Sequence, residues 1–298
     1  MDGDIVISVL ICTYNQEKFI ASAIESALEQ NVDVPIEILV GDDCSTDHTR
    51  EIVMSYYQSN QDKIRLVFPE KNLGSTRNHL SLIKAAKGEY VAFLDGDDAW
   101  LDPCKLQKQL NVLDNNCDVG MVCSMVKAWD EKKQRYEGRM GDDTVEDLYK
   151  MIMFDDDVMA PTMFFRKRLY EECVAASEWY IENNCFFDTI VAYWFAYYSK
   201  IVFLPEEMAM YRVLPNSGCH TCNPVKQREY DKRYFAIKAR FLLENHVPVD
   251  IAHAILLKEW DKAYATATWR KDVEMRRSKT FQIGQKLLKP IKKLFKNG

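Results

Sequence analysis

The sequence predicts an α/β fold: a mostly parallel sheet flanked by helices, with a helical extension at the C-terminus. Three observations carry this expectation. Short β-branched and aromatic runs alternate with stretches of helical periodicity over residues 5–115. Each apolar run ends in a polar turn rich in Asn, Asp, Gly and Ser. The segments joining them are short, as strand-helix-strand units with right-handed crossovers require.

Taken in order, Ile5 to Ile11 (IVISVLI) reads as a fully buried strand, followed by the turn Thr13-Tyr14-Asn15. From Gln16 to Gln30 the apolar residues Phe19, Ile20, Ala23, Ile24, Ala27 and Leu28 recur at helical spacing. Ile36 to Val40 is the second strand and runs into Gly41-Asp42-Asp43-Cys44-Ser45-Thr46-Asp47, a turn full of helix-capping residues. A helix follows, with Ile52, Val53, Tyr56 and Tyr57 on one face. Ile64 to Phe68 is the third strand, Asn72-Leu73-Gly74-Ser75 its turn, and a helix runs from about Thr76 until Gly88 stops it. Tyr90 to Leu94 is the fourth strand, ending in Asp95-Gly96-Asp97-Asp98. Asp102-Pro103 supplies an N-cap and a proline at the first helical position for a helix carried by Leu106, Leu110 and Leu113.

The second half is less regular. Val119–Val126, Met163–Arg166, Ile201–Leu204 and Met208–Val213 read as strands, and Glu146–Phe154 and Asp188–Tyr198 as helices. From about Gln227 the pattern is helical to the end. These patterns predict a domain over residues 1–225, in two halves at 1–115 and 116–225, followed by a helical extension at 226–298.

Composition narrows the function classes. The 298-residue chain is 47% hydrophobic, enough for a sizeable core, and its net charge of −6 lacks the basic footprint of a nucleic-acid binder. The 9 cysteines are odd in number and scattered, as expected of free thiols in a reducing compartment. Cys219-His220-Thr221-Cys222 has two cysteines three apart but no obvious partners for a zinc or redox site. The start is acidic rather than signal-like, and the first apolar run is too short to span a bilayer, so the expectation is a cytoplasmic protein. The stretch Leu287–Lys296 mixes apolar residues with lysines; it reads equally as a solvated amphipathic helix or as a peripheral contact with an anionic inner membrane face.

In a parallel sheet every strand-to-helix turn lies on one edge, and ligands bind there. The turns at Thr13, Asp42, Asn72 and Asp95 are therefore predicted to converge. Asp95, Asp97 and Asp98 put three carboxylates within four residues, a costly arrangement unless a cation sits among them. A hard divalent ion, Mn²⁺ or Mg²⁺, takes carboxylate oxygens and completes its shell with phosphate. A carboxylate at Asp42 or Asp43 can accept hydrogen bonds from a base or ribose. Thr13, Tyr14 and Asn15 offer backbone and ring contacts, and Arg77 a charge for phosphate. Neither a Walker loop nor a Gly-x-Gly-x-x-Gly turn is present, which argues against P-loop chemistry and a dinucleotide site.

In combination, SVLICTYNQEKFIASAIESALEQ, ILVGDDCSTDHT, NLGSTRNHLSLIKAAKGEYVAFLDGDDAWLDPCKLQKQL and LPEEMAMYRVLPNS make the chain resemble the family 2 inverting glycosyltransferases of GT-A fold, across residues 5–217. The resemblance implies a nucleotide-sugar donor, a UDP-sugar above all, and a saccharide or lipid-linked saccharide acceptor in surface polysaccharide or glycoconjugate synthesis. It implies that Thr13 and Asp43, with Asp42 beside it, hold the base, that Asp95 meets the ribose, that Asp97 holds the metal on the diphosphate, and that 1–115 is the nucleotide-binding half and 116–225 the acceptor-binding half. Tyr14, Asn15, Asn72, Arg77 and Gly96, in the same turns, complete the candidate nucleotide-sugar site, with Lys71 a second cation beside Arg77. Asp188 falls at the general base, although Phe187 stands where an acidic neighbour is usual; Asp155, Asp156 and Asp157 are rival carboxylates, in a run that reads as an exposed loop before Pro161. Tyr211-Arg212 matches a Tyr-Arg pair, with a structural ion pair the other reading of Arg212; Leu214 stands where histidine is common, and His220 is the candidate substitute for it as a phosphate or metal contact. Two other readings stay open on the residues alone: a nucleotidyltransferase, which would release pyrophosphate, and a non-catalytic nucleotide-sugar-binding module.

Overall fold

The computed structural model describes residues 4–140, 158–183, 187–215, 235–250, 252–254 and 256–257. The predicted helix at Glu146–Phe154, the carboxylates Asp155, Asp156 and Asp157, the cluster Cys219–Cys222 with His220, and the basic stretch Leu287–Lys296 lie outside the described residues. The chain divides into two compact units, Met1–Cys222 and Asn223–Gly298.

Unit one is built on a single mixed sheet, helices joining its strands. Strands β1 (Ile7–Thr13), β2 (Ile36–Asp42), β3 (Ile64–Leu66) and β4 (Tyr90–Asp95) are all parallel and lie in the order β3-β2-β1-β4. Helices α1 (Ile20–Leu28), α2 (Thr49–Ser59) and α3 (Ser75–Ala85) are the crossovers. Every residue of β1 is buried, which is why its sequence is continuously apolar instead of alternating. In α1 the residues Ile20, Ala23, Ile24 and Ala27 are fully buried, the face that the sequence periodicity marks. Burial of each large aliphatic side chain contributes roughly 1.5–3 kcal/mol, so a charge at Ile24 would unseat the helix.

Beyond β4 the sheet turns mixed. A two-residue strand β5 (Ala99–Trp100) and helix α4 (Lys105–Asn115) lead to β6 (Val119–Asp130) and the hairpin strand β7 (Arg135–Met140). After a 3₁₀ turn at Ala160–Thr162 come β8 (Phe164–Arg166), α5 (Lys167–Ala175), α6 (Glu178–Glu182), α7 (Phe187–Tyr198) and β9 (Lys200–Val213). Strand β8 runs antiparallel between β4 and β6, and β9 runs parallel to β6 on its other side. The α/β class and the helix-flanked sheet are as the sequence predicts.

Three local expectations are corrected. The two strands expected at Ile201–Leu204 and Met208–Val213 are one strand, β9. Its register on β6 jumps from Ser124↔Leu204 to Met125↔Glu207, so Pro205 and Glu206 form a bulge where proline's missing N–H costs no ladder bond. Helix α4 begins at Lys105, not at Pro103: Asp102 Oδ1 accepts from Cys104 N at 2.8 Å and makes its own turn first. The third strand is three residues long instead of five.

Within unit two the described residues include a helix at 235–244. Its buried residues are Ile237, Lys238, Ala239, Phe241 and Leu242.

Candidate functional site

The parallel register fixes where the turns meet. Thr13 at the end of β1 pairs with Asp42 at the end of β2, and Cys12 pairs with Asp95 at the end of β4. Neighbouring strands stand about 4.8 Å apart, so the first, second and fourth turns share one sheet edge. Backbone bonds tie them further: Asp43 N donates to Thr13 O at 3.0 Å, and Gly96 N to Cys12 O at 2.8 Å. Gly96 is a close approach. A Cβ there would stand 2.4 Å from Gln16 Oε1 and 2.8 Å from both Thr13 Cβ and Oγ1.

The third turn is brought in by Asp43. Its buried carboxylate accepts from Leu73 N at 2.7 Å and Gly74 N at 2.8 Å, while Asn72 Nδ2 donates to Asp43 O at 2.9 Å. Asp42 is fully buried and committed to its own turn: Oδ2 accepts from Arg50 Nε at 2.6 Å, and Oδ1 from Ser45 N at 3.2 Å. Asn15, in the left-handed region at φ 52°, cross-links the first and second turns, receiving Thr46 N on Oδ1 at 2.8 Å. Asparagine tolerates that backbone better than most residues. Tyr14 is 47% exposed, its ring open to solvent beside these turns, and Arg77 is exposed on the first turn of α3.

The acidic turn after β4 is electrostatically loaded. Burial, then the charge of Asp188, pushes the Asp95 carboxyl up to about 7. Burial, then Asp95, raises Asp97 to about 6, opposed by Arg212 and by a hydrogen bond from Gln16. Asp98 is buried and also held above the ordinary carboxylate range, by burial first and by Asp97 and Asp95 next. Its Oδ1 accepts from Arg212 N at 2.8 Å, so it clasps β9 to the turn. Arg212 is 11% exposed, and its guanidinium is engaged: Nε donates to Asp97 O at 2.7 Å, Nη1 pairs with Glu131 Oε2 at 2.8 Å, and its carbon lies 4.5 Å from the Phe19 ring centroid.

Crowded carboxylates, in which Asp95 raises Asp97 and both raise Asp98, favour a cation, and an all-oxygen donor set suits a hard divalent ion. Among the described residues no three His, Cys, Asp or Glu side chains gather as a ready-made cage. One or two carboxylates fit a Mg²⁺ or Mn²⁺ that takes its remaining ligands from phosphate and water.

Asp188, exposed in the first turn of α7, is far along the chain from Asp95, yet its charge acts on both Asp95 and His79. Its Oδ1 accepts from Thr189 N at 2.9 Å. Two residues at this edge are missing from the sequence-predicted set. Gln16 accepts from Thr13 Oγ1 at 2.7 Å and bonds Asp97; its place three residues after Thr13, in the turn itself, was the available signal. His79 Nε2 lies 3.7 Å from Asp95 Oδ1; a polar residue one turn before the buried Ile83 marks it on the inner face of α3. His220 lies outside the described residues.

A sequence profile described as glycosyl transferase family 2 matches residues 8–174. An uncharacterized glycosyltransferase of Nostoc sp. is 31% identical over 212 residues, covering 70% of this chain and 64% of that protein. The Escherichia coli UDP-Glc:alpha-D-GlcNAc-diphosphoundecaprenol beta-1,3-glucosyltransferase WfgD is 34% identical over 113 residues, 38% of this chain and 43% of its own. The chain spans 64% of the length of the first curated relatives it matches. Among solved structures, S. aureus TarS in complex with UDP-GlcNAc superposes with a TM-score of 0.62 at 19% identity, covering 92% of this chain and 78% of TarS. The mannosyltransferase PcManGT from Pyrobaculum calidifontis, in complex with GDP-Man and Mn²⁺, gives 0.54 at 16% identity, covering 100% of this chain and 89% of its own. At those identities the likeness is one of fold.

Proposed function

The chain belongs to glycosyl transferase family 2, and on that premise we propose that it moves a sugar from a nucleoside diphosphate donor, favourably a UDP-sugar, to a hydroxyl of a saccharide or lipid-linked saccharide, with inversion. The observation that carries this reading is the meeting of Thr13, Asp43, Asp95 and Asp97 on one sheet edge with the charge of Asp188 bearing on Asp95. In this reading residues 1–115 serve the nucleotide and residues 116–225 the acceptor. The putative teichuronic acid biosynthesis glycosyltransferase TuaG of Bacillus subtilis, 36% identical over 113 residues, and WfgD, named for a diphosphoundecaprenol-linked acceptor, support surface polysaccharide synthesis on a lipid-linked acceptor as the setting.

In this proposal Thr13, Tyr14, Asn15, Asp43, Asn72 and Arg77 frame the base and diphosphate, with Asp42 holding its turn through Arg50. Asp95 accepts from ribose. Asp97, with Gln16 fixing its carboxylate, holds a divalent metal, as the Mn²⁺ complex of PcManGT suggests. When bound, that ion supplies charge stabilisation to the departing diphosphate. Asp98 and Arg212 keep the acidic turn in place. Asp188, exposed to solvent, takes the proton of the acceptor hydroxyl as its oxygen bonds to the anomeric carbon and the bond to the nucleoside diphosphate breaks on the opposite face. General-base assistance of this kind is worth about 10²–10⁴-fold.

Among the described residues no helix is long and apolar enough to cross a membrane. The basic stretch Leu287–Lys296 brings the enzyme to an anionic cytosolic surface in this reading, and co-sedimentation with phosphatidylglycerol vesicles tests that step. The reaction itself is tested by incubation with UDP-sugars and Mn²⁺. Release of UDP, with Asp188→Asn keeping donor affinity but losing release, is the expected result. Pyrophosphate release, or unchanged turnover in Asp188→Asn, refutes it.

A further inference from the structure

His79 is held on two sides before any ligand arrives. Its Nδ1 lies 3.1 Å from Ser75 O, one turn back in α3, and its ring packs edge-on against Phe93, centroids 5.2 Å apart at 63°. A carbonyl oxygen only accepts, so Nδ1 carries the hydrogen and Nε2 of the neutral ring is left as an acceptor. Burial holds this imidazole below its ordinary range, which favours the neutral ring. Nε2 points at Asp95 Oδ1 across 3.7 Å, beyond direct hydrogen-bonding reach. Two acceptors thus stand side by side, with the side chains 15% and 36% exposed, at the edge where the turns converge.

We infer that His79 Nε2 and the Asp95 carboxylate together receive the two hydroxyl hydrogens of a vicinal diol on the donor, which makes His79 a specificity-determining residue. This rests on the glycosyl-transfer reading above. Neighbouring hydroxyls on a sugar ring present two O–H donors side by side, the complement of this pair. A site built to accept from a hydroxyl discriminates strongly against an analogue that lacks it, because the buried acceptor is then left unpaired. The diol belongs either to the ribose or to the transferred sugar; the chemistry is shared, and the ligands chosen below separate the two.

The test is calorimetry in Mn²⁺ with the diphosphate the wild type binds, UDP or GDP, its 2′-deoxy and 3′-deoxy forms, and the matching nucleotide-glucose. His79→Phe keeps a ring against Phe93 and removes the acceptor; His79→Gln retains an acceptor; a melting curve shows that each is folded. For a ribose diol, the wild type should bind the deoxy forms about tenfold more weakly. His79→Phe should then erase that penalty for one of the two deoxy forms, with Gln restoring part of it. For a diol on the transferred sugar, His79→Phe should bind the diphosphate as wild type does and lose about tenfold on nucleotide-glucose. Wild-type behaviour of His79→Phe toward all these ligands overturns the inference and leaves the glycosyl-transfer reading standing. A wild type that binds neither UDP nor GDP overturns both.

Discussion

Replacing Asp43 by asparagine asks whether its carboxylate fastens the third turn to the second. Two backbone amides, Leu73 N at 2.7 Å and Gly74 N at 2.8 Å, each reach a separate oxygen of a side chain that is 3% exposed. Asparagine is nearly isosteric but offers one acceptor oxygen; its NH₂ must face the other amide, donor against donor. A hydrogen bond to a charged acceptor contributes about 1.5–3 kcal/mol, and an unsatisfied buried donor costs about 1–3 kcal/mol. The change should therefore cost roughly 2–4 kcal/mol, concentrated at residues 72–74. Hydrogen exchange reads it directly: protection of the Leu73 and Gly74 amides should fall by about 30-fold or more, at about 1.4 kcal/mol per tenfold. The melting temperature should fall by about 5–10 °C for a unit of this size. Unchanged protection at both amides, with an unchanged melt, would show that the carboxylate does not dock the turn.

Gly96→Ala drives a Cβ to 2.4 Å from Gln16 Oε1 and 2.8 Å from Thr13; a cost of about 1–3 kcal/mol in urea unfolding is expected, and a neutral variant would mean that the two turns are not in contact. Arg212→Ala removes the guanidinium donors to Asp97 O and Glu131 Oε2 and should cost about 2 kcal/mol, whereas an unchanged urea midpoint would show that the guanidinium does not brace the acidic turn. Lys105 is fully buried, its Nζ on Gln109 Oε1 at 2.7 Å and 4.4 Å from the Trp100 ring centroid, and burial lowers its pKa from 10.5 to about 7. The unfolded chain binds more protons than the folded one between those values, so wild-type stability should rise with pH from about 7 to 10.5 and be flat below. Lys105→Met removes this term, worth on the order of 4 kcal/mol, while costing Gln109 its donor. The variant should be the more stable protein at pH 7 and lose that advantage by pH 10; a pH-independent difference in urea unfolding refutes the buried, proton-shedding lysine.

The core of the fold was readable because parallel strands buried on both faces must be continuously apolar. ISVLICT, IEILV and YVAFL announce themselves, and the Asn, Asp, Gly and Ser that follow each run mark the turns. Strand β7, RYEGRM, has five exposed residues of six, so no burial alternation betrays it. Strand β5 is two residues long, below any periodicity. Pro205 reads as a strand break in sequence and is a bulge in space. Within the site, the sequence could list acidic turn residues but not their partners. Asp42 meets Arg50 on the following helix, and Asp43 meets amides thirty residues away, beyond the strand that pairs with β2. His79 escaped notice because a histidine inside an amphipathic helix carries no motif; only its proximity to Asp95 gives it meaning.

The central claim is that turns separated along the chain cooperate in holding one metal-bridged nucleotide. Titrating UDP into the protein with and without Mn²⁺, for the wild type and for Asp97→Asn, tests it most directly. The account predicts tighter binding with Mn²⁺ in the wild type and no Mn²⁺ dependence in the variant. Equal affinities across all four titrations would contradict it.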